Sequence, residues 1–192
     1  MHNPSPQPVP LMTLRLHLRA LKAEDAPALS AIMADPETLR YFNLAPFATL
    51  AACQAYVRAL LLKQHQGQLV CWGIEQLDQR QLIGRIFLKN WRNDVPSAEV
   101  TYLLSRNAWG QGYMTEALTV VVAYCFEQTS LMCLEARCWK ENQASARVLE
   151  KVGMRCEGPL PERYVAQGRE PEVLLFRLQR TKSHGERCMA NR

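Results

Sequence analysis

Apolar and polar residues alternate strictly in "LRLHLRAL", where Leu14, Leu16 and Leu18 are set against Arg15, His17 and Arg19. A period of two marks a strand with one polar face, so residues 11–21 read as the first strand. Helical spacing takes over in 23–35, with Pro27 tolerable only in a first turn. A second helix is expected over about 49–66, stopped by Gly67. Two strands follow, 69–77 and 81–91, and the short "DQR" between them makes a hairpin. A third strand covers 98–105, then come a helix of roughly 113–128 and a strand at 132–139. Asn142 is placed to N-cap another helix, with Gly153 just past its end. A last strand spans 172–179. The order is strand, two helices, three strands, helix, strand, helix, strand, which is one mixed α/β domain without repeat or linker.

Composition narrows the class. The 192 residues suffice for one domain with a real core. A chain that is 48% hydrophobic and 21% charged reads as soluble and globular. The longest apolar run, 117–126, falls far short of the roughly 20 residues that cross a bilayer, so no membrane association is expected. The first ten residues hold four prolines and have neither a basic n-region nor an apolar h-region. They predict a flexible Pro-rich arm over 1–11 and no secretory signal. Seven cysteines, an odd number without any C-x-x-C pair, fit neither a disulfide framework nor a zinc site. Reduced, mostly buried thiols in a cytoplasmic protein are expected. Cys133 and Cys138, five apart on one strand, point to opposite faces. The net charge of +5 is modest, and the basic tail 180–192 lacks interleaved aromatics. That tail reads as a disordered end, and no nucleic-acid partner is expected.

Chemistry concentrates in "SRNAWGQGYMTEAL", residues 105–118, where Gly110 and Gly112 stand at the mouth of a helix. A dinucleotide fingerprint would need a third glycine where Thr115 stands, and no P-loop string occurs. Amides from Gly110 to Thr115 could point inward at the helix start, where the macrodipole favours an anion. A tight strand-to-helix turn is the alternative that the glycines alone leave open.

The wider pattern, "EVTYLLS", "AWGQGYMTEAL" and "ENQASARVLEKVGM", resembles the GNAT superfamily of acyl-CoA-dependent N-acetyltransferases. The similarity is strongest to its RimJ/RimL-like branch of ribosomal-protein N-terminal acetyltransferases. "TLRLHLRALKAEDAPAL" and "EVLLFRL" match that branch's first and last elements, so the resemblance covers residues 12–179. Asn107, Thr101 and Glu172 depart from the usual Gln or Arg, Gly and Asp. The last departure puts a role for that acid in question.

The resemblance implies a single domain whose mostly antiparallel twisted sheet is splayed at the cofactor site and flanked by helices. It implies acetyl-CoA as co-substrate and no metal. Amides of Gly110, Gln111, Gly112, Tyr113, Met114 and Thr115 would hold the pyrophosphate. Backbone around Leu103 and Leu104 would pair with the pantetheine. The strand at 98–105 is expected to be bulged, freeing an amide for the oxyanion. Asn142 and Ser145 would line the other side, with Trp109 packing the loop against the domain.

Attack on a thioester requires a neutral amine. An α-amine is about 10% neutral at pH 7 and a lysine amine roughly 0.04%. No histidine lies between His65 and His184, so carboxylates must serve as base, directly or through water. Glu99 is the first choice, with substrate orientation or a solvated strand face as its other readings. Ser145 is the candidate to protonate the departing thiolate. Glu116 reads as a macrodipole and packing residue. Glu157 and Tyr164, in a late loop, are weaker candidates for acceptor contact.

The acceptor is expected to be a primary amine, a peptide N-terminus ahead of an amino acid, polyamine or amino sugar. Its pocket would come from 39–47 and 157–171, where Arg40, Tyr41 and Phe42 either recognise the acceptor or finish a helix. A non-catalytic acyl-CoA-binding regulatory domain is the competing class. A monomer and a homodimer are equally compatible with the sequence.

Overall fold

The computed structural model describes residues 7–92, 94–161, 165–166 and 168–181. Most of the expected Pro-rich arm, nearly all of the basic tail and Tyr164 lie outside them. One sheet carries the strands β1 (Leu11–Met12), β2 (Leu16–Ala20), β3 (Leu69–Gln76), β4 (Leu82–Arg92), β5 (Ser97–Leu104), β6 (Cys133–Trp139), β7 (Arg155–Pro159) and β8 (Val173–Gln179). Their spatial order is β1-β2-β3-β4-β5-β6-β8-β7. Every pairing is antiparallel except β5 with β6. The mixed α/β class and the mostly antiparallel sheet agree with the sequence.

Helices cover both faces. On one lie α4 (Tyr113–Gln128) and α5 (Gln143–Lys151), on the other α1 (Ala26–Ala34), the short α2 (Pro36–Leu39) and α3 (Leu50–His65). In α4, Met114, Ala117, Leu118, Val121, Val122 and Cys125 recur at helical spacing and are all buried, so one stripe meets Trp72, Ile86 and Phe176 of the sheet. Across the sheet, Leu29, Met33 and Val57 pack with Leu103. Each fully buried Leu or Phe contributes about 1.5–3 kcal/mol. Burial also pushes the thiols of Cys71 and Cys125 up to about 12, leaving them inert packing groups. No described helix is long and apolar enough to cross a membrane.

The structure corrects three sequence expectations. Residues 11–21 are not one strand. The Thr13 hydroxyl accepts from the Leu16 amide at 2.9 Å, and the Thr13 amide donates to the Leu16 carbonyl at 2.9 Å. This side-chain turn outcompetes the ladder, and Leu14 points into solvent, 91% exposed. The edge strand β7 went unforeseen because it is mainly exposed and ends in Gly158 and Pro159, which carry no alternation.

The bulge next to the cleft is on β4 rather than β5. Register runs unbroken from Gly84↔Leu104 to Lys89↔Glu99, and resumes at Arg92↔Ser97 with one more residue on β4. Asn90 takes up the excess at φ +55°.

The feature that makes the site is short. Only Ser97, Ala98 and Glu99 pair with β6, opposite Cys133, Leu134 and Glu135. Beyond Glu99 the two strands part.

Candidate active site

Where β5 and β6 separate, a cleft of about 850 Å³ opens between the two strands, the starts of α4 and α5, and the α2 segment. The glycine loop forms its mouth. Gly110 and Gly112 have φ of +72° and +80°, which side-chain-bearing residues adopt only at about 1–2 kcal/mol. A β-carbon on Gly110 would meet nothing within 4 Å, so the space before the loop is open. Gly112 is the N-cap of α4, and its carbonyl accepts from the Glu116 amide at 3.0 Å. The first amides of a helix have no partner within it, so this mouth offers donors and a positive dipole end to an anion.

The loop is braced from the far end of the chain. Arg15 donates to the Gln111 carbonyl at 3.1 Å, pairs with Glu116 at 2.6 Å, and lies 4.3 Å over the Tyr113 ring. Glu116 also accepts the Thr13 hydroxyl at 2.6 Å and the Arg15 amide at 3.0 Å. Partial burial pushes the Glu116 carboxyl up, but the bonds from Thr13 and Arg15 together outweigh it and hold it below the usual carboxylate range. Glu116 therefore locks the loop to the N-terminal turn, a packing role in keeping with the sequence.

Five of the six expected loop residues line the cleft: Gly110, Gly112, Tyr113, Met114 and Thr115. Gln111 instead borders a second cavity of about 440 Å³ behind the loop. Trp109 is half-exposed, lines the cleft, and donates its indole N–H to the Leu104 carbonyl at 2.8 Å. It thereby ties the loop to the end of β5.

Leu103 and Leu104 form the inner wall. The Ser105 amide donates to the Ile83 carbonyl at 2.7 Å, which sets the phase of the β4–β5 ladder. Alternation then turns Leu103's backbone toward β4, and the amides of Tyr102 and Leu104 toward the gap.

Glu99 and Ser145 both line the cleft. Glu99 is only 8% exposed and is clamped by Lys89 at 3.0 Å, Asn90 at 2.9 Å and Arg137 at 3.7 Å. The β4 bulge is what brings Asn90 to it. Asn142 caps α5 by accepting from the Ser145 amide at 3.1 Å. Ser145 Oγ lies 2.7 Å from the Tyr102 hydroxyl.

Lys89, Asn90, Arg137 and Tyr102 were not singled out from the sequence. Only Lys89 carried a usable signal, an opposite charge facing Glu99 across the hairpin.

Arg40, Tyr41 and Phe42 border the outer part of the cleft, and the Tyr41 ring meets Trp139 edge-on with centroids 5.8 Å apart. Ala166, Val173 and Leu160 pack around the same tryptophan, so the early and late segments meet there. Glu172 pairs with Lys140 at 2.7 Å, both exposed, and Glu157 is exposed on β7; neither lines the cleft.

A sheet parted beside a glycine-loop mouth is the architecture of the acyl-CoA-dependent acetyltransferases. The chain belongs to the acetyltransferase (GNAT) domain family, whose model matches residues 15–155, and is an N-acetyltransferase. It is 30% identical over 175 residues to the uncharacterized N-acetyltransferase p20 of Bacillus licheniformis, covering 91% of this chain and 98% of that one. Among solved structures, a GNAT-family acetyltransferase from Bacillus anthracis superposes with a TM-score of 0.79 at 21% identity, covering 90% and 99% of the two chains. RimL, a ribosomal L7/L12 alpha-N-protein acetyltransferase solved with coenzyme A, superposes with a TM-score of 0.77 at 19% identity, covering 87% and 95%. At those identities the structural likeness is one of fold.

Proposed function

We propose that the chain moves acetyl from acetyl-CoA directly to a weakly basic primary amine, in first place a protein N-terminal α-amine. Acetyl-CoA supplies the acetyl group as a thioester. The open space before Gly110 fits a pyrophosphate, held by the amides of Gly110 to Thr115. The parted strands fit the pantetheine arm, with the Tyr102 amide turned into the gap as the oxyanion donor. Asn142 and Ser145 hold the opposite wall, and Ser145 presents a hydroxyl to the departing sulfur.

The observation that carries the choice of acceptor is the engagement of Glu99 by two cations and an amide. Its two oxygens already receive Lys89, Asn90 and Arg137. A carboxylate so engaged is suited to orienting groups or relaying through water rather than to stripping a strongly basic ammonium. Among the described residues, no histidine lines the cleft. An amine of pKa near 8 loses only about 1 kcal/mol to reach its neutral form at pH 7, against about 4–5 kcal/mol for a lysine amine. The α-amine is the acceptor that needs least help. The RimL neighbour, named for acting on a protein N-terminus, supports the same class.

The test is calorimetry with acetyl-CoA, paired with free CoA released over a panel of N-terminal peptides, amino acids and polyamines. Binding with release to peptides supports the proposal. Release only with polyamines overturns the acceptor class, and binding without any release points to a regulatory domain.

A further inference from the structure

Tyr102 belongs to the wall of the cleft. Among the described residues its hydroxyl meets two atoms, both on Ser145: Oγ at 2.7 Å and the carbonyl oxygen at 3.2 Å. Burial pushes the phenol well above its usual range and the Ser145 contact only partly offsets this, so it remains a protonated donor at any working pH.

Resting on the acetyl-transfer reading, we infer that Tyr102 is a positioning residue that aims the Ser145 hydroxyl proton into the cleft, toward the sulfur that leaves.

A hydroxyl carries one proton and two acceptor sites. Either oxygen could donate across the 2.7 Å contact; with the Tyr102 proton assigned to Ser145 Oγ, the shorter of its two contacts, the serine proton is turned away from Tyr102 and toward the space that Ser145 lines. The competing neighbour is Cys138, whose thiol also contacts Ser145. Its proton goes to the carbonyls of Trp139 at 3.4 Å and Asn142 at 3.5 Å, and its sulfur is only a weak acceptor. Asn142 is occupied as well, by the Ser145 amide. Among the described residues, Ser145 Oγ therefore has one strong partner, Tyr102, on one side and the cleft on the other.

The step balances without another reactant. The amine nitrogen forms the new C–N bond, the C–S bond breaks, and its electron pair stays on sulfur. A thiol titrates near 8.5, far below a serine hydroxyl. Ser145 thus holds the thiolate by a hydrogen bond rather than surrendering its proton. The proton lost by nitrogen reaches sulfur through water. Two hydroxyls in series polarise each other, so the Tyr102 bond strengthens the one that Ser145 makes.

The experiment compares Tyr102→Phe, Ser145→Ala and the double variant for kcat with a peptide acceptor, for acetyl-CoA Kd by calorimetry, and for slow release of CoA to water. Tyr102→Phe is expected to lower kcat about tenfold, less than the loss of a direct oxyanion donor, with Kd changed less than about twofold. In the Ser145→Ala background it is expected to do nothing further, because the hydroxyl it orients is gone. Full kcat in Tyr102→Phe, losses that multiply in the double variant, or an acetyl-CoA affinity that falls in step with kcat each overturn the inference and leave acetyl transfer intact. A native chain that binds acetyl-CoA but releases no CoA, to amine or water, overturns both readings. The water-release assay needs no acceptor, so a wrong peptide cannot mask the result.

Discussion

The two ends of the cleft are built from different materials. At the mouth, backbone does the binding: two glycines in left-handed conformation, the free amides of a helix start, and Arg15 as an external brace. At the inner end, side chains do it: Lys89, Asn90 and Arg137 on Glu99, and Tyr102 on Ser145, drawn from three strands and a helix. The mouth depends on the conformation of a few adjacent residues, and the inner end on where distant strands stop pairing. The mouth should therefore fail through loss of acetyl-CoA affinity, and the inner end through loss of turnover.

The sharpest way to break this contrast is Gly112→Trp. An indole at the loop occludes the amides, and each charge-assisted bond lost costs about 1.5–3 kcal/mol, so acetyl-CoA affinity should fall at least about a hundredfold by calorimetry. Glu99→Gln probes the other end. It keeps the shape but removes the charge between two cations, and kcat/KM for a peptide should fall about tenfold to fiftyfold while acetyl-CoA affinity stays within about twofold. Affinity lost with Glu99→Gln would erase the distinction.

Glu116→Gln tests the brace. The native carboxyl titrates below its unfolded value, so its contribution is fully present above the ordinary value near 4.3 and vanishes as pH falls through the folded one. Melting temperature should therefore drop less steeply below about pH 4 in the variant. At neutral pH the variant should be less stable by about 1–2 kcal/mol. Smallest of all is Gly110→Ala. Open space surrounds that position, so only the backbone conformation resists, at about 1 kcal/mol of stability in a denaturant melt.

The same contrast explains what could be read in advance. The glycine pair, the start of α4 at Tyr113 and the Asn142 cap are local signals, each complete within a few residues. Apart from α2, β7 and the break between β1 and β2, the order of elements followed from periodicity. The turn at Thr13 defeated that reasoning because one hydroxyl overrode an unbroken alternation. The bulge was expected on β5 and occurs on β4, since nothing in sequence spacing says which partner takes the extra residue. Tyr102 and Ser145 are 43 positions apart, and their contact exists only because β5 and α5 face the same gap. Arg137 reaches Glu99 across the one parallel pairing, whose length no single strand encodes.

The Arg15–Glu116 brace has a consequence for the order of assembly. It closes a loop of 101 residues, among the most entropically demanding contacts in the chain. Hairpins such as β3–β4 can form early from neighbouring segments, whereas the brace must wait until both the N-terminal turn and α4 are in place. The ligand mouth is then a late-setting clasp on an already folded body. Its amides should exchange with deuterium well before those of the sheet, and exchange should slow once acetyl-CoA spans the loop.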